Sequence, residues 1–481
     1  MYRLAWILAI LTLGSRSVAQ DCDCLANFDW VKETFETNDA GFAYALEQKG
    51  ESAYLRHNEL TRKMIEELED PDQCPQLLHE WLSWFRSGHI GILRSNQSTG
   101  ADGKELTNEE IRQQYADWER QKLDTLAFRS YLDDLSQPGY EGIWASGPYK
   151  IAVRKSADGY VGTILAADGV YWMPDQVKMR ISGEGAATYY MRDHSAQEFD
   201  RAELLDQNHL QMGFVLLQRV YPSLPDNPSI ARYIRCIEAT STFIERIDDK
   251  TLLLRIPSFD GYLRDQIDSV INANMDTLLQ TPNLIIDLRN NGGGSDRSYY
   301  PILPLLYTGP IHTVGVELLS TPLNNQRMLD FVNNPEYGFS EEEKEWAQAA
   351  YEKLSKYPGE FVNLGDHVVD TTTLDTVYPY PKQVAIIIHE GNGSTTEQFL
   401  LAARQSKKVK LFGTTTYGVL DISNMYYVDS PCDDFQLGYS LSRSMRLPDL
   451  PVDDIGIQPD FFIHREVAPH DWIDFVLDVL K

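Results

Sequence analysis

Four apolar runs in the second half of the chain restrict the fold more than any other feature: "TLLLRIPSF" (251–259), "NLIIDL" (283–288), "QVAIIIH" (383–389) and "VKLFG" (409–413). Each is too short to be a core-spanning helix and too uniformly apolar to be a strand with one wet face, so each reads as a strand covered on both sides. Between them lie amphipathic stretches with apolar residues at spacings of three and four, "YLRDQIDSVINANMDTLLQ" (262–280), "SYYPILPLLY" (298–307) and "STTEQFLLAARQ" (394–405). Strands alternating with helices predict an α/β fold with a largely parallel buried sheet over residues 201–481.

The segments before this core follow other periods. From Asn27 to Arg86 the pattern is helical, and a further helix is predicted from Glu109 to about Leu135, giving a helical N-terminal domain over 20–136. Between Gly142 and Met191 the period becomes two, with "YKIAVRKS", "YVGTILAA", "VKMRIS" and "ATYYMRD" separated by Ala-Asp-Gly and Gly-Glu-Gly turns. This predicts a small antiparallel β module over 137–200. Trp144 and Trp172 are expected in its interior, the usual place for large aromatic rings.

Residues 1–19 carry Arg3, an apolar run from Leu4 to Leu13 and the small-x-small site Ser17-Val18-Ala19, which reads as a secretory signal peptide. No later stretch approaches the roughly 20 apolar residues of a membrane-spanning helix. The expectation is an exported protein, periplasmic or extracellular. In an oxidising compartment Cys22 or Cys24 could bridge to Cys74, and the odd count of five cysteines leaves one thiol unpaired. No cysteine pair has histidines at zinc-site spacing, so no metal is expected. With 71 acidic against 43 basic residues the formal charge is −28, and no basic run offsets it, which argues against nucleic acid as a partner.

Two strand ends carry the chemistry. "NLIIDL" runs into "RNNGGG" (289–294), where three consecutive glycines let backbone N–H groups approach a ligand; Gly292 or Gly293 could donate to a developing oxyanion. "QVAIIIHEGNG" leads to Ser394-Thr-Thr-Glu397 at the start of a helix. Ser-x-x-Glu is the pattern of a capping box, but strand–turn–serine–helix also raises a nucleophile above a sheet, with the Thr395 N–H as a second oxyanion donor. A serine needs a base. His89, in "RSGHIGIL" between Gly88 and Gly91, has the freedom for that role; His389 ends a buried strand and is expected to pack or point away. No spacing rule connects His89 to Ser394.

Together, "LIIDLRNNGGG", the Ser-x-x-Glu helix and "GIQPDFFI" resemble the superfamily of C-terminal processing (tail-specific) serine peptidases and the tricorn core protease, over residues 245–465. The resemblance implies a crotonase-like core, Ser394 as nucleophile, oxyanion N–H groups from Gly292 or Gly293 and from Thr395, no cofactor, and a peptide or unfolded protein as substrate. Tail-specific proteases place a lysine base in a segment like "GEPTFGKG"; the matching "GTTTYGVL" has Val419 there, so a Ser–Lys dyad is not expected. The tricorn-like branch takes a histidine from an Asp-Gly-His-like motif, which "SGHI" resembles with Ser87 in the acid's place, making His89 the general base. That branch orients its histidine with a glutamate just before the Gly-Val-x-Pro-Asp segment. In "PVDDIGIQPD" Asp454, or failing it Asp453, is the candidate. The glycine-rich carboxylate-binding loop of a PDZ domain is missing from 142–191. The rival readings are an inactive peptide- or glycan-binding protein in which Ser394 is only a cap, and an acyl-CoA hydratase or isomerase, which the signal peptide disfavours.

Overall fold

The computed structural model describes residues 23–94, 106–137, 139–431 and 435–481. The expected signal peptide, Cys22 and Cys432 lie outside the described residues.

The four apolar runs form the centre of one six-stranded sheet. Its strands, in sheet order, are β1 (Phe243–Asp248), β2 (Thr251–Arg255), β3 (Asn283–Asp287), β4 (Gln383–Ile388), β5 (Val409–Gly413) and β6 (Phe461–Phe462). β1 is antiparallel to β2; every other pair is parallel. The period-two alternation of each strand sends Leu252, Leu254, Leu284, Ile286, Val384 and Ile386 to one face, under helices 264–273 and 395–403. It sends Leu253, Ile285, Ala385, Ile387 and Phe412 to the other, under the C-terminal helix Trp472–Leu480. Both faces are dry, which is why these strands read as unbroken apolar runs.

Two expected helices are shorter than predicted. Between Glu109 and Leu135 there are two, Asn108–Gln114 and Thr125–Asp133. Residues 119–121 are drawn off to pair with 175–177: the Val177 N–H donates to the Glu119 carbonyl and the Gln121 N–H to that of Asp175. In "SYYPILPLLY" the prolines 301 and 304 remove N–H donors, leaving short 3-10 turns and a four-residue helix, Leu303–Leu306.

The antiparallel module is a nine-stranded sheet with Trp144 and Trp172 fully buried. It continues past residue 200 to Tyr221, because strand Val215–Tyr221 pairs back on Gly142–Ser146 with Gln218 opposite Ala145. The expected boundary at residue 200 therefore falls inside the sheet. A cleft of about 880 Å³ separates the module from the core, with Tyr149, Lys178 and Phe214 on one wall and Arg289 and Trp472 on the other.

The N-terminal helices do not stand apart. They cover a second sheet in which the strand Gly91–Arg94 pairs antiparallel with Phe435–Ser444, Gly91 opposite Gly438. Phe28, Val31, Phe35, Leu78, Trp81 and Phe85 pack with Phe435, Leu437, Tyr439 and Leu441 in one apolar cluster. A disulfide joins Cys24 to Cys74 across this layer, and Cys236 is a free, buried thiol. Residues 86–90, between the helical layer and Gly91, are thereby delivered to the C-terminal half of the chain.

Candidate active site

The turn after β4 places Ser394 at the N-terminus of helix Thr395–Ala403. An ordinary N-cap residue has extended backbone. Ser394 instead has φ +55° and ψ −125°, a conformation that costs a non-glycine residue on the order of 1–3 kcal/mol and is found mostly at functional turns. The capping-box glutamate is present: Glu397 accepts the Ser394 N–H at 3.2 Å. The serine hydroxyl, however, lies 3.1 Å from His89 Nε2, across 305 residues of sequence.

The other ring nitrogen of His89 faces the Ile422 carbonyl at 2.7 Å. A carbonyl can only accept, so Nδ1 carries the proton and Nε2 is left as the acceptor for the Ser394 O–H. Burial lowers the His89 pKa below the usual histidine value, with the Ile422 hydrogen bond and Asp39 opposing and Arg86 reinforcing the shift. The ring is therefore neutral near pH 7, the form that can receive a proton.

Asp454 does not hold His89. Its carboxylate accepts from Ser87 Oγ at 3.0 Å, two residues before the histidine, and its own φ is +62°. Asp453 acts on the partner of His89 instead: its carboxylate takes the N–H groups of Leu420 at 2.5 Å, Asp421 at 2.6 Å and Ile422 at 3.2 Å. The expected acid–imidazole contact is replaced by a backbone carbonyl, whose segment a half-buried carboxylate fixes from the N–H side.

The glycine run packs directly on the serine turn. A Cβ on Gly293 would lie 2.9 Å from Ser394 Cβ and 3.0 Å from Thr395 N, so only glycine allows this approach, and its φ of +115° reinforces the requirement. The Gly293 N–H is engaged by Asn291 Oδ1 at 3.1 Å. Gly292 is exposed, and its N–H has no hydrogen-bond partner among the described residues. Thr395 opens the helix, so by position its N–H has no intrahelical acceptor.

Residues that the sequence did not single out hold these parts in register. Asn392 Nδ2 donates to the carbonyls of Leu288 and Asn291, and Thr396 Oγ1 to Asn291, all fully buried side chains. Asp287, at the end of β3, is clasped by Arg289 at 2.7 Å with Arg255 nearby, and these cations hold its carboxyl down at about 2 against the opposing effect of burial. This fixes the strand end from which the glycines emerge. Glu397 is fully buried and accepts from Thr416 Oγ1, Gly418 N and Val419 N besides Ser394 N. Only the Glu397 role had a signal in the sequence, through the capping box.

Val419 itself is buried, and its methyls press on the glycines that precede His89 and Ser394. A Cβ on Gly88 would meet Val419 Cγ1 at 2.4 Å, and one on Gly393 would meet Cγ2 at 2.7 Å. His389 is tied to Asn290 and to the Gly391 N–H, away from the serine.

The family-model comparison places the model of peptidase family S41 on residues 250–463. Over these residues, a little under half of its length, the chain resembles the serine-type peptidases of the S41, tail-specific superfamily. Among solved structures, mature CPAF complexed with lactacystin is 14% identical, with a TM-score of 0.52 over 95% of this chain and 97% of that one. Uncomplexed mature CPAF gives 14% identity and a TM-score of 0.52 over 95% and 96%. The tricorn protease gives 14% identity and a TM-score of 0.42, over 95% of this chain and 36% of its own. At these identities the likeness to CPAF speaks for the fold alone. A comparison with curated proteins finds no match. The S41 match begins and ends within the six-stranded sheet, so His89 and the whole helical layer lie outside it.

Proposed function

We propose that the chain is an exported serine endopeptidase that hydrolyses peptide bonds through an acyl-enzyme, with Ser394 as nucleophile and His89 as general base. The observation that carries this reading is the 3.1 Å contact between His89 Nε2 and Ser394 Oγ, in the one tautomer that a carbonyl partner at Nδ1 permits.

Ser394 Oγ attacks the scissile carbonyl carbon while His89 Nε2 takes its proton. The resulting oxyanion accepts from the Thr395 N–H and from a glycine N–H, with Gly292 favoured over Gly293 because the latter already serves Asn291. Collapse breaks the C–N bond, and the imidazolium returns the proton to the leaving amine. Water then attacks the acyl-enzyme, again giving its proton to His89, and Ser394 is released. The positive end of the helix dipole at Thr395 favours the negative charge that develops there. The disulfide between Cys24 and Cys74 supports export, since such bonds persist in oxidising compartments. No helix among the described residues is long and apolar enough to cross a membrane.

The test is a fluorophosphonate reaction on the purified protein, with the adduct located by peptide mass spectrometry and His89→Ala run beside it. A stoichiometric adduct on Ser394 that disappears in the histidine variant supports the proposal. A folded protein that forms no adduct would return Ser394 to a capping role on a binding scaffold. Lactacystin, bound in the CPAF structure, is a second probe of the same serine.

A further inference from the structure

The loop that carries His89 is gripped by a buried ion pair from the N-terminal layer. Arg86 and Asp39 are 7% and 2% exposed. The guanidinium meets the carboxylate in a two-pronged contact of 2.7 and 2.6 Å. Arg86 then donates to the Gly88 carbonyl at 3.0 Å and to the His89 carbonyl at 2.9 Å, and so holds the backbone on both sides of the histidine nitrogen. Asp39 spends its remaining acceptor capacity on the N–H groups of Gly41 at 2.9 Å and Ser440 at 3.0 Å. Ser440 Oγ closes the ring by donating to the His89 carbonyl at 3.0 Å.

His89 needs this support. Its φ is +53°, a strained choice for a non-glycine residue that persists only where the surroundings over-determine it. The hydrogen bonds at its carbonyl and at that of Gly88 supply the constraint. Asp39 follows the helix Cys24–Asn38, and the backbone beside it docks on the long strand through Ala40 N–H to the Ser440 carbonyl at 2.9 Å. The ion pair thus ties three elements into one joint: the first helix, the histidine loop and strand Phe435–Ser444.

We propose that Asp39 and Arg86 are positioning residues for His89, so that the N-terminal helical layer is a working part of the catalytic centre rather than a neighbouring domain. The inference rests on the Ser394–His89 reading for its kinetic consequence and on geometry alone for its structural one. A planar guanidinium with five donors can satisfy a carboxylate and two carbonyls at once; a lysine ammonium cannot. Displacement of a general base by about 1 Å is enough to cost roughly 10²-fold in rate.

The experiment compares Asp39→Asn, Arg86→Lys and Arg86→Ala with the unaltered chain, each first shown to be folded by near-ultraviolet circular dichroism. With a fluorogenic peptide, kcat should fall by roughly 10²-fold with KM little changed, since the substrate-binding surface is untouched. Added guanidinium ion should restore part of the Arg86→Ala activity, which a general loss of stability would not allow. In a Ser394→Ala background, acylation of His89 by diethyl pyrocarbonate, followed residue by residue, should accelerate in Asp39→Asn and Arg86→Lys while His57 keeps its rate. Folded variants with unaltered kcat and unaltered His89 acylation would reduce the pair to scaffold. If the unaltered chain itself neither labels nor hydrolyses, the Ser–His reading has failed, and the acylation rates still decide whether the pair positions His89.

Discussion

His89 Nδ1 donates to the Ile422 carbonyl at 2.7 Å, so the partner of this imidazole is an amide oxygen and not a carboxylate. The difference is electrostatic. A carboxylate stabilises the imidazolium that forms during reaction by a full charge, whereas a carbonyl offers a partial one. Asp453 fixes the same backbone segment through its N–H groups, while the carboxylate that acts on the imidazole charge is Asp39, which raises the His89 pKa against burial. The orientation and the tautomer of His89 are secured in full, its basicity only in part.

The two adjacent aspartates therefore separate by function. Asp453→Asn replaces an acceptor-only group with one that turns an NH2 toward backbone donors, freeing the 420–422 segment. Its kcat is expected to drop at least about tenfold, because a base misplaced by a fraction of an ångström loses much of its efficiency. Asp454→Asn keeps an oxygen for Ser87 Oγ and should stay within about threefold of the unaltered rate, the range of a single exposed hydrogen bond. Steady-state kinetics on one fluorogenic peptide distinguishes them, and the reverse order would make Asp454 the orienting acid.

The pH dependence of catalysis follows from the sign of the His89 shift. Burial depresses its pKa, so the base stays neutral to lower pH than an ordinary histidine. The acid limb of kcat/KM should have its midpoint below about 6.5, the unperturbed value. The same shift links to stability: below that value the unfolded chain binds the proton more readily, so stability is present above the unfolded pKa and is lost as pH falls through the folded one. A kcat/KM profile with its midpoint above 7 would contradict both.

Much of this site could be read from local sequence because its parts are local. The glycine run and the Ser-x-x-Glu helix each follow a buried strand, and parallel pairing brings the two strand ends together without further information: Ile286 lies opposite Ile386. His89 was legible as a candidate through its glycine-flanked motif, but its meeting with Ser394 depends on strand Gly91–Arg94 pairing with residues 435–438, a contact with no periodic signature. The orienting group was read as Asp454 because sequence displays side chains, and a backbone carbonyl at Ile422 displays nothing. The broken helix after Glu109 has the same cause: propensity continues through 115–124, and edge pairing with residues 175–177 overrides it.

Lys178 offers a test of the β module that is independent of catalysis. Its side chain is fully buried at the edge of the cleft, among the rings of Trp172, Tyr149 and Tyr189, and donates to the carbonyls of Tyr190 and Met191. Burial pushes its pKa down to about 7. Between that value and the ordinary one the unfolded chain holds the extra proton, so this residue makes stability rise with pH across the interval. Lys178→Met should therefore gain in Tm relative to the unaltered chain at pH 6 and lose that advantage by pH 10. Thermal unfolding at the two pH values measures it, and an equal difference at both would mean that the amine is not desolvated as placed.

Val419 stands at the position that the resemblance assigns to the lysine of tail-specific proteases, and its packing couples the two halves of the proposed dyad. Its two methyls fill the space between Gly88, beside His89, and Gly393, beside Ser394. A side chain at Gly88 has no room: its Cβ would sit 2.4 Å from Val419 Cγ1 and 3.5 Å from Tyr417 Cε1. Gly88→Ala should thus push the histidine loop off the serine and reduce kcat by roughly 10²-fold, the cost of about 1 Å of misplacement. Val419→Ala removes the obstructing methyls at a stability cost on the order of 1–3 kcal/mol, as for other truncations of buried aliphatic side chains. Because the two substitutions act on one contact, their effects should not add: Val419→Ala keeps a Cβ 3.1 Å from the added one, so the double variant should recover part of the rate lost in Gly88→Ala alone. A double variant as slow as the single one would place the fault in the backbone of Gly88 rather than in its contact with Val419.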